Sequence, residues 1–414
     1  MALPILNIDN LMVELHALAR ISEGEPPVVT RVVFSEADLR ARTYVKELGL
    51  AAGLSIREDA VGNTFLRWQG SDPELPSVAT GSHIDAIPNA GAYDGVVGVL
   101  GGLEAIRALQ RAGFQPRRSI ELIIFTSEEP TRFGIGCLGS RLMGGVLSPE
   151  AALLLRDREG RGLDELRSAA GFTGDLESVL LPEEHYHSFV ELHIEQGPLL
   201  ESDGLDLGIV THIAAPASLR VLIEGEGGHA GAMLMPIRHD ALCGAAEVVL
   251  AVEQAAKSTG AIDTVATVGV CEVFPGAINS VPSRVRLEID VRDTDATRRD
   301  RVLEAIRLAC DQVASHRLLN FEITAINEDP PATCDPRIVE TIEAAASDAG
   351  HTSLRMVSRA YHDSLFMARI TPVAMIFIPS RSGVSHRPDE YSSPEWIAKG
   401  VDTLARTLAL LSNS

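Results

Sequence analysis

Three histidines and several carboxylates stand at or just past the ends of short apolar runs in this sequence. His83 follows Val78–Thr80, and Asp94 opens a long helical pattern. Glu128 and Glu129 follow Ile123–Phe125. His193 and Glu195 end the run Phe189–Ile194, and His386 follows Met375–Ile378. Imidazole and carboxylate donors without thiolate suit Zn, Mn, Co or Ni. The ligand count fits two metals better than one. A bridging carboxylate holds two ions about 3.5–4 Å apart, and they share a water that becomes a nucleophile near neutral pH. The adjacent pair Glu128–Glu129 can then divide labour, one carboxylate binding metal and the other taking the proton of that water. Each residue also has a bland reading. A histidine after a strand is usually structural, adjacent glutamates are usually a solvated turn, and an Asp before a helix is usually an N-cap. Their joint placement at strand ends is what points to chemistry.

The elements that must position these residues alternate in type. Val45–Gly53 ends a helical pattern on glycine, and Pro76–Thr80 is a short apolar run. Val96, Leu100, Leu103 and Ile106 recur at helical spacing before Gly113. Ile120–Phe125, broken only by Glu121, is short enough for a buried strand, and Phe189–Ile194 is a more mixed run. Strands alternating with helices imply βαβ units and a mostly parallel sheet, whose sites form outside the carboxyl ends of its strands. The middle of the chain differs. Leu219–Glu224, Thr264–Val273 and Arg284–Arg292 tend to alternate apolar with polar residues, as in antiparallel strands with one solvated face. Asp240 can cap a helix through ALCGAAEVVLAVEQA, and a second helical pattern covers Arg299–Val313. PPATCDP reads as a linker, followed by a helix near Pro336–Ala349, the run Val373–Ile378 and a last helix from Pro394 to Leu411. The expected architecture is an α/β domain with a mostly parallel sheet, formed by 1–211 and 329–414. A smaller α+β domain, 212–328, is inserted into it. Residues 157–180 are polar and glycine-interrupted and suggest no role.

A chain of 414 residues suits two domains. With 36 basic and 57 acidic side chains its net charge is −21, which opposes phosphate backbones and anionic membrane surfaces. That leaves a small-molecule partner rather than nucleic acid or membrane. Cys137, Cys243, Cys271, Cys310 and Cys334 form no CxxC pair and read as small buried hydrophobes in a reducing compartment. The opening MALPILNIDNLMVELHALAR reads as an amphipathic helix rather than a secretion signal, and no stretch is long and apolar enough to span a membrane. The expected location is cytoplasmic.

Six longer segments resemble a known family. GSHIDAIPNAGAYDGVVGVLGGLEA, FTSEEPTRFGIGCLGSR, ELHIEQGP, GGHAGAMLMPIRHDA, PGAINSVPSRVRLEIDVRD and SHRPDEY are similar to the amidase/hydantoinase/carbamoylase group of di-metal aminoacylase- and carboxypeptidase-type hydrolases. The resemblance implies two divalent ions, Mn expected, held by His83, Asp94, Glu129, His193 and His386, with Asp94 bridging and Glu128 as general base. The peptidase branches usually carry a carboxylate where His193 stands, so His193 favours the ureido-amidase branch. The inserted domain would be a lid and dimerisation domain. Its His229 would reach the partner subunit's site of a homodimer and help hold the oxyanion. Asn279 and Arg292 would bind a substrate carboxylate, and Gln196, Tyr361 and His362 would complete the pocket. Arg292 as a strand-face ion pair and Asn279 as a turn residue are the plainer readings of those two positions. Carbamoylases usually have glycine at the positions of Arg359 and Tyr361. A tyrosine there removes room for a substrate side chain and adds a hydroxyl. The implied substrate is a short ureido acid, ureidoglycolate, with allantoate or an N-carbamoyl-L-amino acid as alternatives. A binding protein without catalysis on this fold is disfavoured, because the five ligands and Glu128 are all present.

Overall fold

The computed structural model describes residues 4–414. The chain divides into two compact units. The first comprises the chain up to Thr211, Thr333–Ser358 and His362–Ser414. The second comprises His212–Ala332 and Arg359–Tyr361. The inserted unit thus runs four residues past the expected 328 and takes in a tripeptide from the later chain.

The first unit is built on a nine-stranded sheet. At its centre Ser77–His83 pairs in parallel with Ile120–Phe125 on one side and with Tyr186–Ile194 on the other. Val373–Ile378 adds in parallel to Tyr186–Ile194. These strands are buried along their whole length, apart from His187 at the start of Tyr186–Ile194. Continuous apolar sequence suits a sheet covered on both faces. The helices Val96–Arg111, Pro336–Asp348 and Pro394–Ser412 belong to this unit. The outer strands are antiparallel. Thr64–Trp68 joins Ile120–Phe125, Ser55–Glu58 joins Thr64–Trp68, and Leu207–Ile213 joins Val373–Ile378. The sheet is therefore mostly parallel only at its centre.

Register places the strand ends together. His83 lies opposite Phe125, and Phe377 lies opposite His193. From Ser77–His83 the chain moves first to the neighbour on one side and later to the neighbour on the other. This is the topological switch point at which open α/β sheets form a crevice.

The second unit is a four-stranded antiparallel sheet in the order Val265–Phe274, Arg284–Asp293, Ala215–Glu224, Asn320–Glu328. Burial along Leu219–Glu224 and Arg284–Asp293 alternates with the period of two expected from their sequences. Leu219, Val221, Leu287 and Ile289 pack with Val248 and Val252 of helix Ala241–Ser258 and with Val302 and Ile306 of helix Ala296–Arg317. Asp240 caps the first of these helices by accepting from the Leu242 and Cys243 N–H groups.

Several expectations need correction. The first helix spans Ile8–Ala19, and Met1–Leu3 of the expected helix lie outside the described residues. The segment PPATCDP contains a short strand, Ala332–Thr333, because the Cys334 N–H finds the Thr211 carbonyl. Residues 157–180 form the helix Leu163–Ala169 and a 3-10 turn, and Leu163, Phe172, Leu176 and Val179 enter a hydrophobic cluster. Cys243 and Cys271 are exposed, unlike the other three cysteines. Cys243 lies in the first turn of its helix, and Cys271 lies on an edge strand. Among the described residues, no helix is long and apolar enough to cross a membrane.

Candidate metal centre

Strand and helix ends deliver the expected ligands to one place. His83 is the last residue of its strand and His193 the next to last of its own. Glu128 and Glu129 follow Phe125 in a turn. Asp94 precedes helix Val96–Arg111 without capping it, since Gly95 is the cap residue and its φ is +65°. A Cβ at Gly95 would stand 2.4–2.6 Å from the His83 ring. Only glycine tolerates both that backbone and that approach.

Three groups of donors can each hold an ion; one is Glu191, His193 and His362, and the other two are triads that share one residue. His83, Asp94 and His193 form the first of these triads, and Asp94, Glu129 and His386 form the second. Asp94 Oδ1 lies 3.2 Å from His193 Nε2, and Oδ2 lies 2.9 Å from His386 Nε2. Glu129 Oε1 lies 3.4 Å from His386 Nε2. His83 and His193 turn Nδ1 toward the backbone oxygens of Asp85 and Ile194, at 3.0 and 2.9 Å. Each therefore presents Nε2 to the site, His193 toward the shared carboxylate and His83 toward Glu128, the orientation commonly imposed on metal-binding imidazoles. Glu128 stands beside the first triad, its Oε2 3.7 Å from His83 Nε2. All these groups are buried except His386, whose side chain is 45% exposed.

The electrostatics fit cations. Burial raises the Glu128 carboxyl well above its ordinary range, and Glu129, Asp363 and Asp94 add repulsion. Burial and Asp94 push Glu129 up to about 8. Asp94 runs the other way. Burial opposes its charge, but hydrogen bonds with His193 and His386 outweigh that and hold it well below the usual range. Burial opposes the proton on His193, yet Asp94 lifts this imidazole to about 9. Its bond to Asp94 likewise lifts His386 to about 9. Burial takes His83 down to about 4, so its ring is a neutral donor. The three acids have imidazoles as their ion-pair partners, and divalent ions would supply the missing positive charge.

The remaining expected residues fall into two groups. Gln196 lies in the first unit, where Nε2 donates to both Asp94 oxygens at 3.1 Å. His362 is buried there, its ring 4.5 Å from that of His193 and its Nε2 3.0 Å from the Ser358 hydroxyl. His229, Asn279, Arg292 and Tyr361 belong to the second unit. His229 is exposed, and its Nδ1 accepts from the Gly231 N–H at 3.1 Å. Arg292 pairs with Asp290 at 2.8 Å and lies over the Tyr361 ring. The strand-face ion pair thus exists, and it fixes the guanidinium beside that tyrosine. Glu195, singled out with the strand ends, accepts from the Leu199 and Leu200 N–H groups at the start of a short helix.

Four buried acids were missed. Asp85 accepts from the N–H groups of Glu128 and Glu129 at 3.2 and 3.1 Å and so shapes their turn. Glu390 contacts the Asp94 and His386 segments. Glu191 accepts from Ser82 and Ser364 behind His193, and Asp363 accepts from Ser140. An acid inside an apolar run, as in FVELHI, is the sequence signal for Glu191. Asp85 and Glu390 lie inside the motifs GSHID and SHRPDEY.

This fold and donor set can be compared with known proteins. The pattern of Peptidase family M20/M25/M40 matches residues 79–410. The chain belongs to this family. Membership of the family and the two triads suggest the use of divalent metal. Ureidoglycolate hydrolase of Arabidopsis thaliana is 53% identical, over 98% of this chain and 87% of the relative. The N-carbamoyl-L-amino acid amidohydrolase of Geobacillus stearothermophilus is 38% identical, over 97% of each chain. The solved structure of AtUAH in complex with glyoxylate superposes with a TM-score of 0.91 at 52% identity, covering 99% of this chain and 98% of that one. The M20/M25/M40 chain described here is thus a hydrolase whose relatives act on ureido and carbamoyl C–N bonds.

Proposed function

We propose that this protein hydrolyses (S)-ureidoglycolate to glyoxylate, ammonia and carbon dioxide. The near full-length identity to the Arabidopsis ureidoglycolate hydrolase carries the reading. His83, Asp94 and His193 would hold one divalent ion, and Asp94, Glu129 and His386 the other. When bound, two such ions make water a better nucleophile and polarise the ureido carbonyl, and Mn is expected although Zn, Co or Ni suits the same donors.

The chain's own residues do the rest. Glu128 takes the proton of the attacking water and returns it to the leaving nitrogen, in the general acid–base role that its buried place beside His83 supports. Attack at the ureido carbonyl breaks a C–N bond and frees ammonia. The carbamate that remains loses carbon dioxide, and the hydroxyglycine so formed loses ammonia to leave glyoxylate. His229 works in the partner subunit's site of a homodimer. A neutral ring that accepts at Nδ1 carries its proton on Nε2, and such a donor can hold a developing oxyanion. Arg292 binds the substrate carboxylate as a charge-assisted fork, with Asn279 beside it. Gln196 and His362 line the substrate's place in the first unit, and the tyrosine at 361 suits a substrate with no alkyl side chain. The protein works in the cytoplasm.

The test is ammonia release by metal-stripped protein, with and without Mn, on ureidoglycolate, allantoate and several N-carbamoyl-L-amino acids. Mn-dependent turnover of ureidoglycolate alone is the expected result. The likeness to the Geobacillus enzyme supplies the second reading, and turnover of carbamoyl amino acids in place of ureidoglycolate would establish it.

A further inference from the structure

Glu390 touches two ligand-bearing segments that lie far apart in sequence. Its Oε1 accepts from the N–H groups of Tyr93 at 2.9 Å and Asp94 at 3.0 Å. Its Oε2 accepts from the Ser385 hydroxyl at 2.9 Å and the His386 N–H at 3.2 Å. The side chain is buried, and all four partners are donors, so the carboxylate is well matched to them. Ser385 in turn lies 3.4 Å from Asp94 Oδ2.

The ligands differ in how they are held. His83 and His193 sit in strands of the central sheet, so hydrogen-bonded ladders fix their backbones. His386 lies eight residues past its strand, among turns, with a φ of +58°. A non-glycine residue in that region persists only where its surroundings over-determine it. The bond from its own N–H to Glu390 is one such determinant. Gly91 makes room for the arrangement. A Cβ there would stand 2.4 Å from Glu390 Cβ and 2.6 Å from Oε1, so a side chain at 91 must displace the carboxylate.

We propose that Glu390 is a positioning residue that ties the Asp94 segment to the His386 segment and so builds the Asp94–Glu129–His386 ion site, with Gly91 providing its space. The proposal rests on the two-ion reading above. Its consequence is selective. Loss of the tie loosens His386 and leaves the His83–His193 pair on its strands.

Metal-stripped protein is titrated calorimetrically with Mn, and the bound ions are counted by elemental analysis after gel filtration. Wild type is expected to bind two. Glu390→Gln is nearly isosteric, but whichever way its amide turns, an NH2 group faces two donors. It should keep one ion at close to wild-type affinity and bind the other about ten- to a hundredfold more weakly, the usual effect of losing an outer-shell partner. Gly91→Ala leaves every charge in place and should weaken the same ion. It carries the test if the Gln variant does not fold. Two ions at wild-type affinity in these variants, or equal weakening of both, would overturn the proposal. A wild type that binds fewer than two ions would overturn the two-ion reading itself, and the tie with it.

Discussion

Asp94 offers one oxygen to His193 and the other to His386, and this division lets five donors form two candidate ion sites. Glu128 belongs to neither triad and stands beside the first. That position separates its role from metal retention. Glu128→Gln should therefore lower turnover of ureidoglycolate by about 10²–10⁴-fold, the usual span for a lost general base. Its metal content, measured by elemental analysis, should stay near wild type. Full activity in the variant would remove Glu128 from the mechanism. Residue types were readable in advance here, because imidazole and carboxylate donors announce their chemistry wherever they stand. Hydrogen-bond partners were not. Glu195 stood with the strand-end acids in sequence, yet its carboxylate serves two backbone N–H groups of a helix.

At the scale of elements, apolar periodicity was a reliable guide. The run Ile120–Phe125 is a strand with those same bounds, and the alternation in Arg284–Arg292 became alternating burial. The Asp240 cap was also legible, since capping needs only residues two or three positions away. Asp240→Ala should lower stability by about 0.5–2 kcal/mol, read as a lower urea midpoint for the transition that includes helix Ala241–Ser258. Metal affinity should not change, because Asp240 belongs to the second unit. An unchanged midpoint would mean that the cap contributes nothing. The outer antiparallel strands Ser55–Glu58 and Thr64–Trp68 escaped the sequence reading. Such short strands are defined by the neighbour they pair with rather than by their own pattern.

At the scale of the whole molecule, the candidate metal ligands belong to the first unit and His229, Asn279, Arg292 and Tyr361 to the second. A homodimer in which His229 serves the partner's site has a direct test. Chains carrying His229→Ala, mixed with chains carrying Glu128→Gln, should recover part of the activity that each lacks alone. In mixed dimers one site would pair an intact Glu128 with an intact His229. No recovery, despite subunit exchange demonstrated by mass spectrometry, would show that each chain completes its own site.

The sequence by itself determined the α/β architecture, the inserted α+β segment and the set of donors for a metal centre. Each of these follows from residue type and local spacing, which the chain carries before it folds. Tertiary structure decided how the two Asp94 oxygens divide between His193 and His386, why His83 and His193 turn Nδ1 to the backbone, and what holds the loop of His386. It also packed residues 157–180 against the first unit's core and left Cys243 and Cys271 in solvent. The reason is the range of the interactions. Glu390 meets the backbone of Tyr93 across 297 positions of sequence, and only the folded chain brings those segments within hydrogen-bonding distance.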